Sequence, residues 1–204
     1  MKKLLVSIGL LLVSLMSLQA QGYKVGDQAE NFNLKNVNGK MVSLFDYPDA
    51  TKGAIVIFTC NHCPYAKAYE DRIIAIDKEF RGKGYPVIAI NPNDPTIQPD
   101  DSFEKMIVRA KAKQYPFPYL FDETQDVYKM YGAKRTPHVF LLKKENNKFI
   151  VEYIGTIDDN FKDASEVQKH YLADAVNALI MNKKPDPNFT KAIGCTIKDK
   201  NYQN

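Results

Sequence analysis

The stretch Ala54-Ile55-Val56-Ile57-Phe58-Thr59-Cys60-Asn61-His62-Cys63-Pro64-Tyr65 joins three signals that rarely meet by accident. Ala54 to Phe58 is a continuous apolar run of strand length, the pattern of a strand buried on both faces. From Pro64 to Arg81 the apolar positions Tyr65, Tyr69, Ile73, Ile76 and Phe80 recur at helical spacing. Proline is favoured at the first helical position, so Pro64 makes Cys63 the N-cap. There a sulfur faces free backbone N–H groups and the positive end of the helix dipole. Such positions lower a thiol pKa from about 8.5 to between about 3.5 and 7.5. A protonated His62 would add to the effect. Cys60, three residues earlier, lies within reach of a mixed disulfide on Cys63. The opposite assignment, with Cys60 attacking and Cys63 resolving, is the other reading of the same Cys-x-x-Cys.

Working outward, Phe32 to Leu34 and Met41 to Leu44 flank Asn38-Gly39, a hairpin signal. Gly82 and Gly84 end the first helix, and residues 86–91 read as the next strand. Asp101 and Glu104 form a capping box for a helix presenting Phe103, Met106, Ile107 and Ala110. Residues 117–121 read as a short strand or extended loop, and Asp122 to Tyr131 as a short helix. His138 to Leu142 and Phe149 to Ile154 form an antiparallel pair, and a last helix is expected over roughly Ala164 to Met181. The order predicts an α/β fold, a mixed sheet layered with helices. One domain over residues 21–184 is expected, followed by an irregular tail over 185–204.

The first residues, Met1-Lys2-Lys3 and then a mostly apolar run to Leu18 with Gln19-Ala20, read as a signal peptide over 1–20. That run is short for a membrane span. Cleavage after Ala20 leaves 184 of the 204 residues and, without Lys2 and Lys3, lowers the formal charge from +4 to +2. This balance points to neither nucleic acid nor a membrane surface as partner. The expected location is exported, periplasmic or secreted.

There are three cysteines, Cys60, Cys63 and Cys195. A disulfide across a three-residue spacing removes little unfolded-state entropy, so chemistry explains Cys60 and Cys63 better than stapling does. Structural zinc would need four ligands, and no second pair follows. A copper(I) site from Cys60, His62 and Cys63 suits thiolate chemistry and stays open. No cofactor is called for. Further along, Arg135-Thr136-Pro137-His138 precedes an apolar strand, where a proline can be cis and present the preceding residue's backbone. Cys195 reads as a buried structural cysteine or as a distant resolving thiol.

With Phe58 to Tyr65, Ala89 to Asp94, Phe117 to Gln125, Tyr131 to Ala133, Thr136-Pro137, Gly155 to Asp159 and Ile193 to Lys198 in view, the chain resembles the thioredoxin-like superfamily. More narrowly it resembles the peroxiredoxin-like branch of the alkyl hydroperoxide reductase / thiol-specific antioxidant redoxins. The resemblance implies a thioredoxin-like fold with Cys63 and Cys60 at a redox site and Pro137 as the cis-proline. Thr136 and Arg135 stand beside them, Arg135 as a charge-stabilising arginine. The five-residue step from Phe58 to Cys63 matches the distance to the nucleophile in such proteins, and the usual second thiol's position is then Ala66. Peroxiredoxins carry Pro-x-x-x-Thr-x-x-Cys; the corresponding positions are Val56 and Cys60 counted from Cys63, or Gly53 and Ile57 counted from Cys60. Thiol–disulfide exchange on a protein disulfide, with a thiol electron donor, is therefore expected ahead of peroxide reduction. A copper(I)-binding module is the third reading.

Overall fold

The computed structural model describes residues 22–48 and 51–201; the signal-peptide reading of residues 1–20 lies outside them. No helix among the described residues is long and apolar enough to cross a membrane.

The chain opens with β1 (Gln28–Ala29) and the expected hairpin, β2 (Asn33–Asn36) and β3 (Met41–Ser43). Gly39 turns that hairpin at φ +82°, a left-handed conformation that glycine adopts without a Cβ penalty. There follow β4 (Gly53–Phe58), α1 (Pro64–Phe80), β5 (Val87–Asn91), α2 (Phe103–Lys113), β6 (Tyr119–Phe121) and α3 (Asp126–Tyr131). The second half holds β7 (Arg135–Thr136), β8 (His138–Glu145), β9 (Lys148–Gly155), α4 (Tyr171–Ile180) and β10 (Cys195–Thr196).

Eight strands form one mixed sheet in the order β1-β9-β8-β4-β5-β6-β2-β3. β5 runs parallel to β4 and β6, whereas β8 is antiparallel to β4. All six residues of β4 are buried, as its unbroken apolar run requires. Ile55 and Ile57 face a core closed by Tyr69, Ile73 and Phe80 of α1 and Leu172, Val176 and Leu179 of α4. Ala54, Val56 and Phe58 face a second core closed by Val127, Tyr128 and Tyr131 of α3. Burying each large side chain of this kind is worth about 1.5–3 kcal/mol, so both ends of α1 are held firmly against the sheet.

Register decides where the site forms. Phe58, the last residue of β4, pairs with His138, the first of β8. The chain leaving β4 for Cys60 therefore runs beside the chain that enters β8 from Pro137.

Two local expectations shift. Ser102, not Asp101, caps α2, its hydroxyl accepting from the Lys105 N–H. The last helix begins at Tyr171 rather than near Ala164, because the Asp163 carboxylate caps a separate 3₁₀ turn over Ala164–Glu166. The described part of the segment past residue 185, expected to be an irregular tail, carries β10 and is built into the domain. Thr190 donates its N–H to Ile154 O, Ile197 is buried, and the Asp94 N–H bonds to Lys198 O at 2.7 Å.

Candidate active site

Cys63 is the N-cap of α1 with extended backbone (φ −64°, ψ 125°), and its carbonyl accepts the Lys67 N–H. Pro64 contributes no N–H and the Cys63 side chain makes no capping hydrogen bond, so the cysteine stands at the positive end of the helix dipole without a bonded amide. That sulfur is bonded to Cys195, with Cα atoms 6.0 Å apart and 132 residues between them in sequence. Cys60 is the free cysteine. The expected Cys60–Cys63 pairing is thus replaced by a bond from Cys63 to Cys195.

The reason lies in the tail. β10 pairs antiparallel with β7, Cys195 opposite Thr136 and Thr196 opposite Arg135. Gly194 allows this approach: a Cβ there would collide with the Thr136 carbonyl. Arg135 donates to Gly194 O (3.3 Å) and Thr196 Oγ1 (2.9 Å), so it clamps the tail. Thr136 touches two sulfurs. Its carbonyl oxygen lies 3.2 Å from Cys63 Sγ and its Oγ1 lies 3.2 Å from Cys60 Sγ. The Thr136–Pro137 peptide bond is cis. Cys63 is fully buried and Cys60 is 3 % exposed, while Cys195 is only half-buried. Ala66, where a second thiol would usually stand, is buried against Cys60 and Cys63.

His62 turns away from Cys63. Its Nδ1 lies 2.5 Å from Asp101 Oδ2 and 3.6 Å from Cys60 Sγ. Burial works against the charged ring. The hydrogen bonds to Asp101 and Cys60, and then their charges, outweigh it and push the His62 pKa up to about 10. His62 is therefore an imidazolium at neutral pH. His138 is the opposite case: burial, aided by the charge of Lys134, pushes it down to about 4. Its Nδ1 accepts the Lys134 N–H, as a neutral ring can.

Asp101 organises the loop and escaped the sequence reading, which assigned it to a helix cap. It is fully buried. Oδ1 accepts the backbone N–H groups of Asn61 (2.6 Å) and His62 (3.2 Å), and Oδ2 accepts Asn93 Nδ2 (2.7 Å) as well as bonding His62. Asn93 Oδ1 in turn accepts the Lys198 N–H of the tail. Asn61 is pinned further by Tyr119, whose hydroxyl donates to its side-chain oxygen at 3.0 Å. The run Asp100-Asp101-Ser102 offered three capping residues, and only the loop 40 positions earlier selects Asp101 for other work.

For the copper(I) reading, Cys63 is engaged in the disulfide. The ligand atoms of Cys60, His62 and Asp101 do lie within 4.8 Å of one another, and the direct His62–Asp101 hydrogen bond already accounts for their closeness.

The profile of the AhpC/TSA family matches residues 25–159. The thiol-disulfide oxidoreductase ResA of Bacillus subtilis is 25 % identical over 171 residues, covering 78 % of this chain and 89 % of that protein. Among solved structures, an uncharacterized conserved protein from Geobacillus kaustophilus superposes with a TM-score of 0.81 at 33 % identity, covering 90 % of this chain and 96 % of that one. Peroxidoxin BcpB of Mycobacterium tuberculosis has a TM-score of 0.56 at 18 % identity over 78 % and 97 % of the two chains, a likeness of fold alone. The fold is thioredoxin-like, as the sequence implied.

The raised His62 pKa sets a pH dependence. A histidine near 6.5 when unfolded and about 10 when folded adds stability that is complete below pH ~6.5 and lost as pH rises through 10. The urea midpoint of the wild type minus that of His62→Gln should therefore fall steadily between pH 6.5 and 10. A difference that stays flat over that range contradicts the imidazolium–Asp101 pairing.

Proposed function

Because this chain belongs to the AhpC/TSA family, we propose that Cys63 and Cys195 are its working redox couple: the protein is a thiol–disulfide oxidoreductase. One observation carries the choice of couple. The disulfide joins a fully buried cysteine at a helix N-cap to a half-buried cysteine on the tail, so the tail end is the more accessible of the two and the other leaves at the positive end of a helix dipole. A substrate thiolate attacks Cys195 Sγ, the reachable end. The Cys63–Cys195 bond breaks, and its electron pair departs on Cys63, at the positive end of the helix dipole. A second substrate thiolate then attacks the substrate sulfur of the mixed disulfide and expels Cys195, which takes up a proton. The substrate has lost two electrons and the protein has gained them. The reverse sequence reduces a substrate disulfide.

This order revises the roles expected from sequence. Cys63 was expected to meet the substrate first; its complete burial in the closed disulfide supports placing it instead as the leaving and resolving sulfur. Thr136 lines both sulfurs beside Pro137, and Arg135 holds the strand that carries Cys195. His62 and Asp101 order the loop that ends at Cys63.

We also assign the protein to an exported compartment, where a disulfide persists. The basic start and apolar run before Ala20 support this. Sequencing the native protein should give Gln21 as the first residue; a chain that keeps Met1 in the cytosol overturns the assignment.

Exchange with a small dithiol peptide tests the couple. Reduced Cys63→Ser, mixed with the disulfide form of the same peptide, should accumulate a mixed disulfide on Cys195, the peptide's other sulfur leaving as its thiol, seen as peptide adduct mass. Cys195→Ser should lose oxidation of the dithiol. Full oxidation by Cys195→Ser would mean that Cys60 and Cys63 suffice, and the couple would be wrong.

A further inference from the structure

We propose that Cys60 is a third redox-active thiol, which attacks the Cys63–Cys195 disulfide from inside the protein and moves the bond to Cys60–Cys63, freeing Cys195. This rests on the reading of Cys63–Cys195 as a working couple and adds a second oxidised form to it.

Three observations converge. Cys60 and Cys63 share one buried cluster, and Cys195 packs against it. Thr136 spans the two sulfurs that would join, holding Cys60 Sγ at 3.2 Å through its hydroxyl and Cys63 Sγ at 3.2 Å through its carbonyl. Cys60 also has a polar setting that a merely structural buried cysteine would not need, with Thr136 on one side and the His62–Asp101 pair on the other.

The step balances within the protein. Cys60 gives its thiol proton to solvent, and its electron pair forms the Cys60–Cys63 bond. The electron pair of the Cys63–Cys195 bond leaves on Cys195, which takes up a proton. One disulfide is exchanged for another, and no outside oxidant or reductant is required. The imidazolium of His62 lies beside the sulfur that carries negative charge during the attack.

The two forms differ in what they offer a partner. With Cys63–Cys195 closed, the free thiol is Cys60, 3 % exposed. With Cys60–Cys63 closed, the free thiol is Cys195, half-buried at the surface. Its strand is then held by the two-residue pairing with β7, the Arg135 contacts and the anchor at Lys198, but no longer by a covalent bond. Cys60 thus converts a closed couple into one that presents a thiol while remaining oxidised.

The test uses the oxidised wild-type protein with iodoacetamide and peptide mapping. Alkylation traps whichever thiol is free, so passage through even a minor form accumulates product. The expected product carries alkyl on Cys195 and a Cys60–Cys63 disulfide, and forms at a rate independent of protein concentration. Oxidised Cys60→Ser should show no alkylation of Cys195. Label confined to Cys60, no label at all, or a rate proportional to protein concentration overturns the relay. If that happens while wild type still oxidises the dithiol peptide, the Cys63–Cys195 couple stands without it. If oxidised wild type contains no Cys63–Cys195 bond, both fail.

Discussion

The bond between Cys63 and Cys195 ties the first turn of α1 to a segment 132 residues later, and the site takes its shape from that closure. It fixes β10 against β7, brings Gly194 onto the Thr136 carbonyl and gives Arg135 two acceptors on the tail. Without the tail, Cys63 would lose the strand that covers it and Thr136 would become a strand edge. Residues 194–198 are therefore part of the proposed site.

Asp101 supplies the second constraint. A buried carboxylate is costly unless its oxygens are satisfied, and both are: one by two backbone amides, the other by an amide side chain and an imidazolium. Satisfying it orders Asn61 and His62 and sets the path into Cys63. The same network reaches the tail through Asn93 and Lys198, so the loop before α1 and the strand after Gly194 are held from one acid. Charge on His62 follows from this arrangement; a histidine at the same place without Asp101 would have only Cys60 to set against burial, which disfavours the charged ring.

What could be read from sequence was what local chemistry decides. The apolar run of β4, the proline that starts α1, the Asn38-Gly39 turn and the strand pair β8–β9 each carry their own signal within a few residues. So did the cysteines at the strand-to-helix junction and the proline before His138. The cap of α2 failed because Asp101-x-x-Glu104 satisfies a local rule as well as Ser102 does, and only a loop far upstream decides between them. The partner of Cys63 failed for a related reason. Spacing favoured the near thiol, whereas the strand pairing that delivers Cys195 rests on Gly194 fitting against Thr136, a contact between distant segments.

A loop this long also suits a plain staple, since closing it removes about 4–5 kcal/mol of unfolded-state freedom. Position separates the two roles: a staple gains nothing from a helix N-cap at one end and a third buried thiol packed beside it. The direct measurement is a redox titration of the native protein in glutathione buffers, read by thiol labelling and peptide mapping. Reversible loss and recovery of two thiols, with Cys63 and Cys195 both among the labelled sites once reduced, is the result this account predicts. A Cys63–Cys195 bond that stays closed across every buffer until the protein unfolds would contradict it.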